Sequence, residues 1–348
     1  MSASASIHLL GSSGEGGAEV YFVELVAALH AAGLPTSAAI RANAGREHAL
    51  HSARVPFQRF GFGGPLDFAT RPGVKRLARQ HAADALVAWM SRAARHTPQG
   101  PWKRIGRLGG YYDLKYYRGF DLLVGNTQDI RDWMVGEGWP KERALYIPNF
   151  AEADDAAPIS RASLDTPEGV PLLLGMGRLH ESKGHDVSLK ALTQLPEAFL
   201  WIAGAGPIEA ELKALAAELD VADRVRFLGW RSDAGALYRA ADVCVFPSRY
   251  EPLGNTVIQA WAHGLPVVAA ASKGPASLIH DGADGRLTPI DDVDAFAAAV
   301  RELIASPALR ATFAAAGRLR VERDFSKAAV VDQWRRLLAD PEGAACAA

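Results

Sequence analysis

The sequence predicts an α/β protein built from two doubly wound domains, and three observations carry that expectation. The chain has 348 residues, more than a single hydrophobic core usually organises. Short apolar runs that end in Gly, Asn or Ser alternate with longer helical patterns, as repeated βα units do. The alternation starts afresh after "IPNFAEADDAAPISRASLDTPEG" (147–169), a stretch rich in Pro, Asp and Ser that reads as a linker. The expected division is a first domain over 1–160, a second over 161–325, and a terminal helix with its tail over 326–348.

In the first domain the expected strands are "SIHLL" (6–10), "SAAI" (37–40), "DALVA" (84–88) and "DLLVGN" (121–126). The best-marked helix is "AEVYFVELVAALHAAG" (18–33), apolar at helical spacing and stopped by Gly33. The second domain offers strands "PLLLGMG" (171–177), "FLWIAGAG" (199–206), "RVRFLGW" (224–230), "DVCVFPS" (242–248) and "PVVAA" (266–270). Helical patterns at 185–195, 208–219 and 232–241 separate them. Ligands of such sheets sit outside the carboxyl ends of the strands, so functional residues should follow strands directly.

Composition marks a soluble globular protein: 49% of the residues are apolar and 22% charged. The net charge of −1 hides an uneven distribution. Residues 67–118 hold eleven Lys or Arg against three acids, and the rest of the chain 27 basic against 36 acidic residues. Interleaved with Trp102, Tyr111, Tyr112, Tyr116 and Tyr117, this basic segment (71–118) is a candidate for an anionic membrane surface or a phosphorylated acceptor; a solvated basic face is the plain alternative. No nucleic-acid partner is expected. Cys244 and Cys346 form neither metal spacing nor a disulfide framework, which points to a reducing compartment. No apolar run approaches the roughly 18–20 residues of a membrane span, and the N-terminus lacks a basic, then apolar, leader. The expected location is the cytoplasm, at most peripheral at the inner face of the plasma membrane.

Three loops carry chemistry. "GSSGEGGAE" (11–19) puts Gly14, Gly16 and Gly17 before a helix, where unpaired amides favour an anion; a glycine turn serving packing alone is the other reading. "GMGRLHESKGHD" (175–186) places Arg178 and Lys183 where both reach one diphosphate, the first as a planar fork and the second as a point charge. His180 and His185 lack partners at metal spacing and read as loop residues. In "SRYEPLGNTVIQAWAHGLPVVAA" (248–270), Pro252 keeps Glu251 out of helical geometry. The amides of Leu253, Gly254 and Asn255 open a helix as a seat for phosphate oxygens, and Gln259 leans back toward the same ligand. An exposed carboxylate on a solvated helix is the alternative there.

Taken together, "GEGGAEVYFVEL", "YIPNF", "GMGRLHESKGHD", "FLGW" with "LYRAADVCVFPSRYEPLG", and "AWAHGLPVVAA" resemble the retaining nucleotide-sugar glycosyltransferases of group 1 type, over nearly the whole chain and in family order. The resemblance implies the GT-B fold, two Rossmann-like doubly wound domains facing across a cleft. It implies transfer of a sugar from a nucleoside diphosphate to a glycan or glycolipid acceptor of cell-envelope polysaccharide or lipopolysaccharide type, with the nucleotide sugar as co-substrate and no protein-bound metal or other cofactor. Arg178 and Lys183 would neutralise the leaving diphosphate and Glu251 would contact hydroxyls of the transferred sugar, these three forming the catalytic set. Leu253, Gly254 and Asn255 would face the phosphates, Gln259 the ribose, and Gly16 and Gly17 would approach the donor from the first domain. The segment 325–340 resembles the family's terminal helix that crosses back toward the first domain.

Two departures qualify the match. Many relatives carry a first-domain histidine near the strand at 84–88, but Trp89, Met90 and Ser91 stand there and His96 comes late. Gln259 replaces the family's second glutamate, which leaves a nucleotide-sugar-binding subunit without turnover as the alternative function. A sugar-nucleotide epimerase of the same fold lacks the expected acid and base.

Overall fold

The computed structural model describes residues 4–14, 16–64 and 66–341; Cys346 and the end of the expected tail lie outside them. The chain forms two compact units, one of residues 1–149 with 327–348 and one of Phe150–Ser326.

The first unit is a seven-stranded parallel sheet: β1 (Ser6–Leu10), β2 (Thr36–Ile40), β3 (Phe57–Arg59), β4 (Ala85–Trp89), β5 (Lys103–Leu108), β6 (Leu122–Gly125) and β7 (Ala144–Tyr146), in the order 3-2-1-4-5-6-7. Every residue of β1, β2 and β4 is buried, as in a parallel sheet covered by helices on both faces. Helix Lys327–Ala339 belongs to this unit and packs against helix Gly17–Ala31. It sends Trp334 to within 6.0 Å of the His8 ring, whose other neighbour is Trp89 at 6.3 Å.

The second unit is a six-stranded parallel sheet: β8 (Leu172–Met176), β9 (Phe199–Ala203), β10 (Val225–Gly229), β11 (Val243–Phe246), β12 (Val267–Ala270) and β13 (Arg286–Thr288), in the order 10-9-8-11-12-13. The strand period of two divides its core. Leu173, Val243 and Val245 pack on the side of helices His185–Leu192 and Val293–Ala305, while Leu174, Cys244 and Phe246 pack on the side of helix Asn255–Ala262. Burial pushes the Cys244 thiol up to about 12. Each unit is therefore a Rossmann-like α/β domain, and the chain has a two-domain architecture.

Several expectations need correction. Residues 150–160 are not a free linker belonging to the first domain. The Ala151 amide donates to the Phe325 carbonyl at 3.0 Å and the Ile159 amide to Ala236 at 3.2 Å, so the break falls between Asn149 and Phe150. Strands β3, β5, β7 and β13 were not anticipated, three being only three residues long and β5 reading as part of the basic segment. That segment is not one basic face: Arg107 is buried in β5, and Trp102 and Tyr117 are core residues. The Arg107 guanidinium lies 4.5 Å from the Trp89 ring and 5.3 Å from that of Tyr21, and donates to Asn149. Burial draws it down to about 10. Among the described residues no helix is long and apolar enough to cross a membrane.

Burial holds the His8 imidazole down to about 3. Burial, and then the charge of Lys183, hold that of His185 down to about 4. Both rings are neutral in the folded chain, whereas in the unfolded chain each takes up a proton below about pH 6.5. This stability is present above that pH and is lost as the pH falls toward the folded values, at up to roughly 1.4 kcal/mol per pH unit for each ring. Urea midpoints should therefore drop between about pH 7 and pH 5, and His8→Leu, although less stable at neutral pH, should show a shallower drop.

Candidate functional site

In the second unit the strand order reverses between β8 and β11, and loops leaving the carboxyl ends of two such neighbours border the crevice where doubly wound sheets bind ligands. The register Leu173↔Val243 and Leu174↔Cys244 sets these ends side by side. Arg178 and Lys183 follow β8; Glu251, Leu253, Gly254 and Asn255 follow β11.

Close backbone packing joins the two loops. Gly184, at φ +68°, caps helix His185–Leu192, and a Cβ there would lie 2.1 Å from the Pro247 carbonyl oxygen. The amides of Arg249 and Tyr250 both donate to the Ser182 carbonyl, at 2.9 and 3.2 Å. The Arg249 side chain completes the join with a bidentate pair to Asp186 at 2.8 Å, a bond to the Glu181 carbonyl at 2.7 Å and one to Asp291 at 2.6 Å. Burial pushes the Asp186 carboxyl up, but the Arg249 hydrogen bonds outweigh it and hold the group below the usual carboxylate range.

Within this frame Lys183 and Glu251 form an ion pair, with side chains 24% and 13% exposed. The Lys183 ammonium also lies 5.7 Å from the Phe246 ring centroid. The other Glu251 oxygen accepts from the amides of Leu253 at 3.3 Å and Gly254 at 3.2 Å. The turn assigned to phosphate therefore already holds a carboxylate. Gly254 stands at φ +86° as the cap of helix Asn255–Ala262, and Gln259 is half-buried one turn inside it. Arg178 is exposed and forms no ion pair among the described residues. His185, expected in a loop, opens a helix and is buried; His180 is exposed, its Nδ1 2.9 Å from the Ser182 hydroxyl.

The residues match two family descriptions: Glycosyl transferases group 1 over residues 157–320 and Glycosyltransferase Family 4 over residues 15–155. The lipopolysaccharide core biosynthesis glycosyltransferase LpsE of Rhizobium meliloti (strain 1021) is 37% identical over 329 residues, spanning 93% of this chain and 96% of that relative. The chain belongs to the group 1 glycosyltransferases. LpsD of the same organism, also a lipopolysaccharide core biosynthesis glycosyltransferase, is 34% identical over 326 residues, 92% of this chain and 94% of its own. In fold, this glycosyltransferase is similar to HepE of Anabaena, crystallised with UDP, at a TM-score of 0.84 and 21% identity over 97% of this chain and 100% of that one.

Sequence reasoning missed two residues of this glycosyltransferase's site edge. Arg249 carries the join just described; its place beside Asp186 depends on a fold that "SRYE" does not announce. Trp230 follows β10 and is 77% exposed, a flat aromatic face open to solvent beside a strand end. Its loop adjoins the site through glycines. Gly204 donates to the Gly229 carbonyl at 2.8 Å, and a Cβ on Gly204 would meet the Gly177 carbonyl oxygen at 1.8 Å.

In the first unit, Gly16 caps helix Gly17–Ala31, as the glycine turn predicts, but the helix start is not an empty anion seat. Glu19 reaches back, accepts from the Ser12 hydroxyl at 2.6 Å, and lies 2.9 Å from where a Gly16 Cβ would stand. Arg46 holds the loop from outside through the Ser12 and Gly14 carbonyls, both at 2.8 Å. Gly17 has open space around its Cβ position, so this turn offers backbone at close approach more than positive potential.

Gly184→Ala combines a left-handed backbone with the Pro247 clash and should destabilise the second unit by at least about 1–2 kcal/mol. A thermal melt measures the loss.

Proposed function

We propose that this glycosyltransferase takes a sugar from a nucleoside diphosphate and transfers it, with retention of configuration, to a glycan or glycolipid acceptor in lipopolysaccharide or related cell-envelope polysaccharide synthesis. The observation that carries the reading is the Lys183–Glu251 pair at the carboxyl ends of β8 and β11. It joins a cation fit for phosphate to a carboxylate fit for sugar hydroxyls. The names of LpsE and LpsD support the pathway class. HepE crystals holding UDP and UDP-glucose support a nucleotide-sugar donor.

On this reading the arriving diphosphate draws Lys183 from Glu251, and Arg178 adds its fork from the exposed side. Glu251 is then free to accept from the sugar hydroxyls, and the amides of Leu253 and Gly254, with Asn255 beside them, turn to phosphate oxygens. Charge that builds on the leaving diphosphate meets cations already in place, so positioning and electrostatics supply the catalysis. The donor's own phosphate takes the acceptor proton on the face where the bond breaks, and a protein-bound metal is not required. Trp230 offers the base a stacking surface, Gln259 bonds the ribose, and Gly16 and Gly17 let the first unit approach the donor. The exposed Lys75, Arg76 and Arg79 on helix Thr70–Gln80 support peripheral contact with an anionic membrane at its cytoplasmic face.

Incubation with a panel of UDP-, GDP- and ADP-sugars and envelope glycolipid extracts should release nucleoside diphosphate, undiminished by EDTA. Donor binding without release under every acceptor would identify the non-catalytic subunit instead. Lys183→Ala should abolish turnover with the fold intact; a near-normal rate would remove the phosphate role. Gln259→Glu should tighten donor binding several-fold, on the order of 1 kcal/mol, because a charged acceptor replaces a neutral one; unchanged affinity would mean that Gln259 does not face the ribose. Cosedimentation with phosphatidylglycerol vesicles should weaken with salt, and indifference to lipid charge would exclude the membrane contact.

A further inference from the structure

The first unit contains a hollow, of about 420 Å³, that the donor reading does not use. It is built where the loop after β3 folds over the ends of β1 and β4, the pair at which this sheet's strand order reverses. A Cβ on Gly11, just past β1, would lie 2.9 Å from Arg92 and 3.2 Å from Phe62, so the loop is pressed onto that point. The backbone is strained on both sides of it. Phe62 has φ +43° and Met90, the first residue after β4, φ +64°, and such conformations of bulky residues gather at ligand sites.

The polar groups of the hollow are Asp67, Arg71, Arg95 and His96, with Phe68 at its rim, 76% exposed. Asp67 is committed internally. It accepts from the Thr70 hydroxyl at 2.6 Å, the Gly63 amide at 2.7 Å and the Thr70 and Ala69 amides at 2.9 and 3.1 Å. The Thr70 hydroxyl first, then these amides, hold its carboxyl far below the usual range. His96 Nε2 is likewise engaged, 3.1 Å from the Gly63 carbonyl oxygen. The two arginines are held only by neutral groups. Arg71 donates to the Arg95 carbonyl at 2.7 Å, and Arg95 to the Tyr116 hydroxyl over whose ring it stacks at 4.1 Å. Among the described residues neither pairs with a carboxylate. Two guanidinium groups line the hollow against one carboxylate, Asp67, whose oxygens are already taken up by a hydroxyl and three amides, and the net positive charge left over favours an anion that can take planar, bidentate bonds. The volume admits a sugar ring beside an apolar face.

We propose that this hollow binds an anionic group carried by the acceptor glycan, a phosphate monoester or a carboxylate, with Arg71 and Arg95 as its ligands and Phe68 against the sugar ring. The proposal rests on the transferase reading for the word acceptor, but its binding test stands apart from it. The full chain is titrated calorimetrically with mannose 6-phosphate, glucuronate and methyl α-glucoside, and separately with UDP. The expected result is binding of one or both anionic sugars at least about tenfold tighter than the neutral one, since bonds between charged groups outweigh neutral ones. The arm that binds tells phosphate from carboxylate. Arg71→Gln with Arg95→Gln should lower that affinity about tenfold or more and leave UDP affinity unchanged; Arg71→Lys with Arg95→Lys, which keeps the charge, should retain part of it. Equal binding of the neutral sugar, or full affinity in the glutamine variant, overturns the proposal. So does loss of vesicle cosedimentation in the glutamine variant without loss of sugar-phosphate binding, which assigns the arginines to a membrane. Binding of anionic sugars by a chain that turns over no donor leaves this subsite standing and removes the transferase reading alone.

Discussion

The ion pair between Lys183 and Glu251 joins residues 68 positions apart, and it forms only because the two loops that carry them are packed together at one edge of the second unit. Parallel pairing of β8 with β11 brings two loops to one edge, and it does so only where the strand order reverses, because elsewhere a helix connection fills the space between neighbouring ends. Gly184 lets the backbones touch, and Arg249 ties the second loop to the helix that the first loop starts. A pair held this way is not sealed from solvent. Its partners are partly open to solvent, so neither depends on the other for solvation as a fully buried pair would.

The first unit repeats the topology with different chemistry at the same place. Its glycine turn after β1 is closed by a carboxylate, Glu19, and braced by Arg46. The positive charge gathers instead beyond β4, around Arg71 and Arg95. Deeper in the same sheet Arg107 shows what a cation does where no carboxylate among the described residues pairs with it. It is carried by the faces of Trp89 and Tyr21 and one carboxamide, a set that tolerates a buried guanidinium through ring quadrupoles and one hydrogen bond.

Much of the fold was legible because its signals are local. Nine of the strands announce themselves as apolar runs closed by small residues, since a strand covered on both faces has no polar side to show. Strands β3, β5, β7 and β13, which show no such run, are short or carry charge, and belong to their sheets only because a neighbouring strand supplies hydrogen bonds along their length. The domain boundary differs from the expected one for the same kind of reason: "FAEADDAAPIS" is polar enough for a linker, yet the amides of Ala151 and Ile159 bond to distant carbonyls of the second unit.

For the site, the sequence by itself determined the chemical kinds and their places after strands: Arg178, Lys183, Glu251 and the turn at Gly254, together with Gln259 where the family has a carboxylate. Residue type and position relative to a strand end suffice for that. The tertiary structure alone decided which of these groups meet. It paired Lys183 with Glu251, turned Glu251 onto the amides of Leu253 and Gly254, buried His185, and divided a basic-looking segment into an interior Arg107 and a hollow holding Arg71 and Arg95. Pairings of this kind depend on distances across a sheet between residues tens of positions apart, and those distances follow from strand order and register, which no local pattern in the chain records.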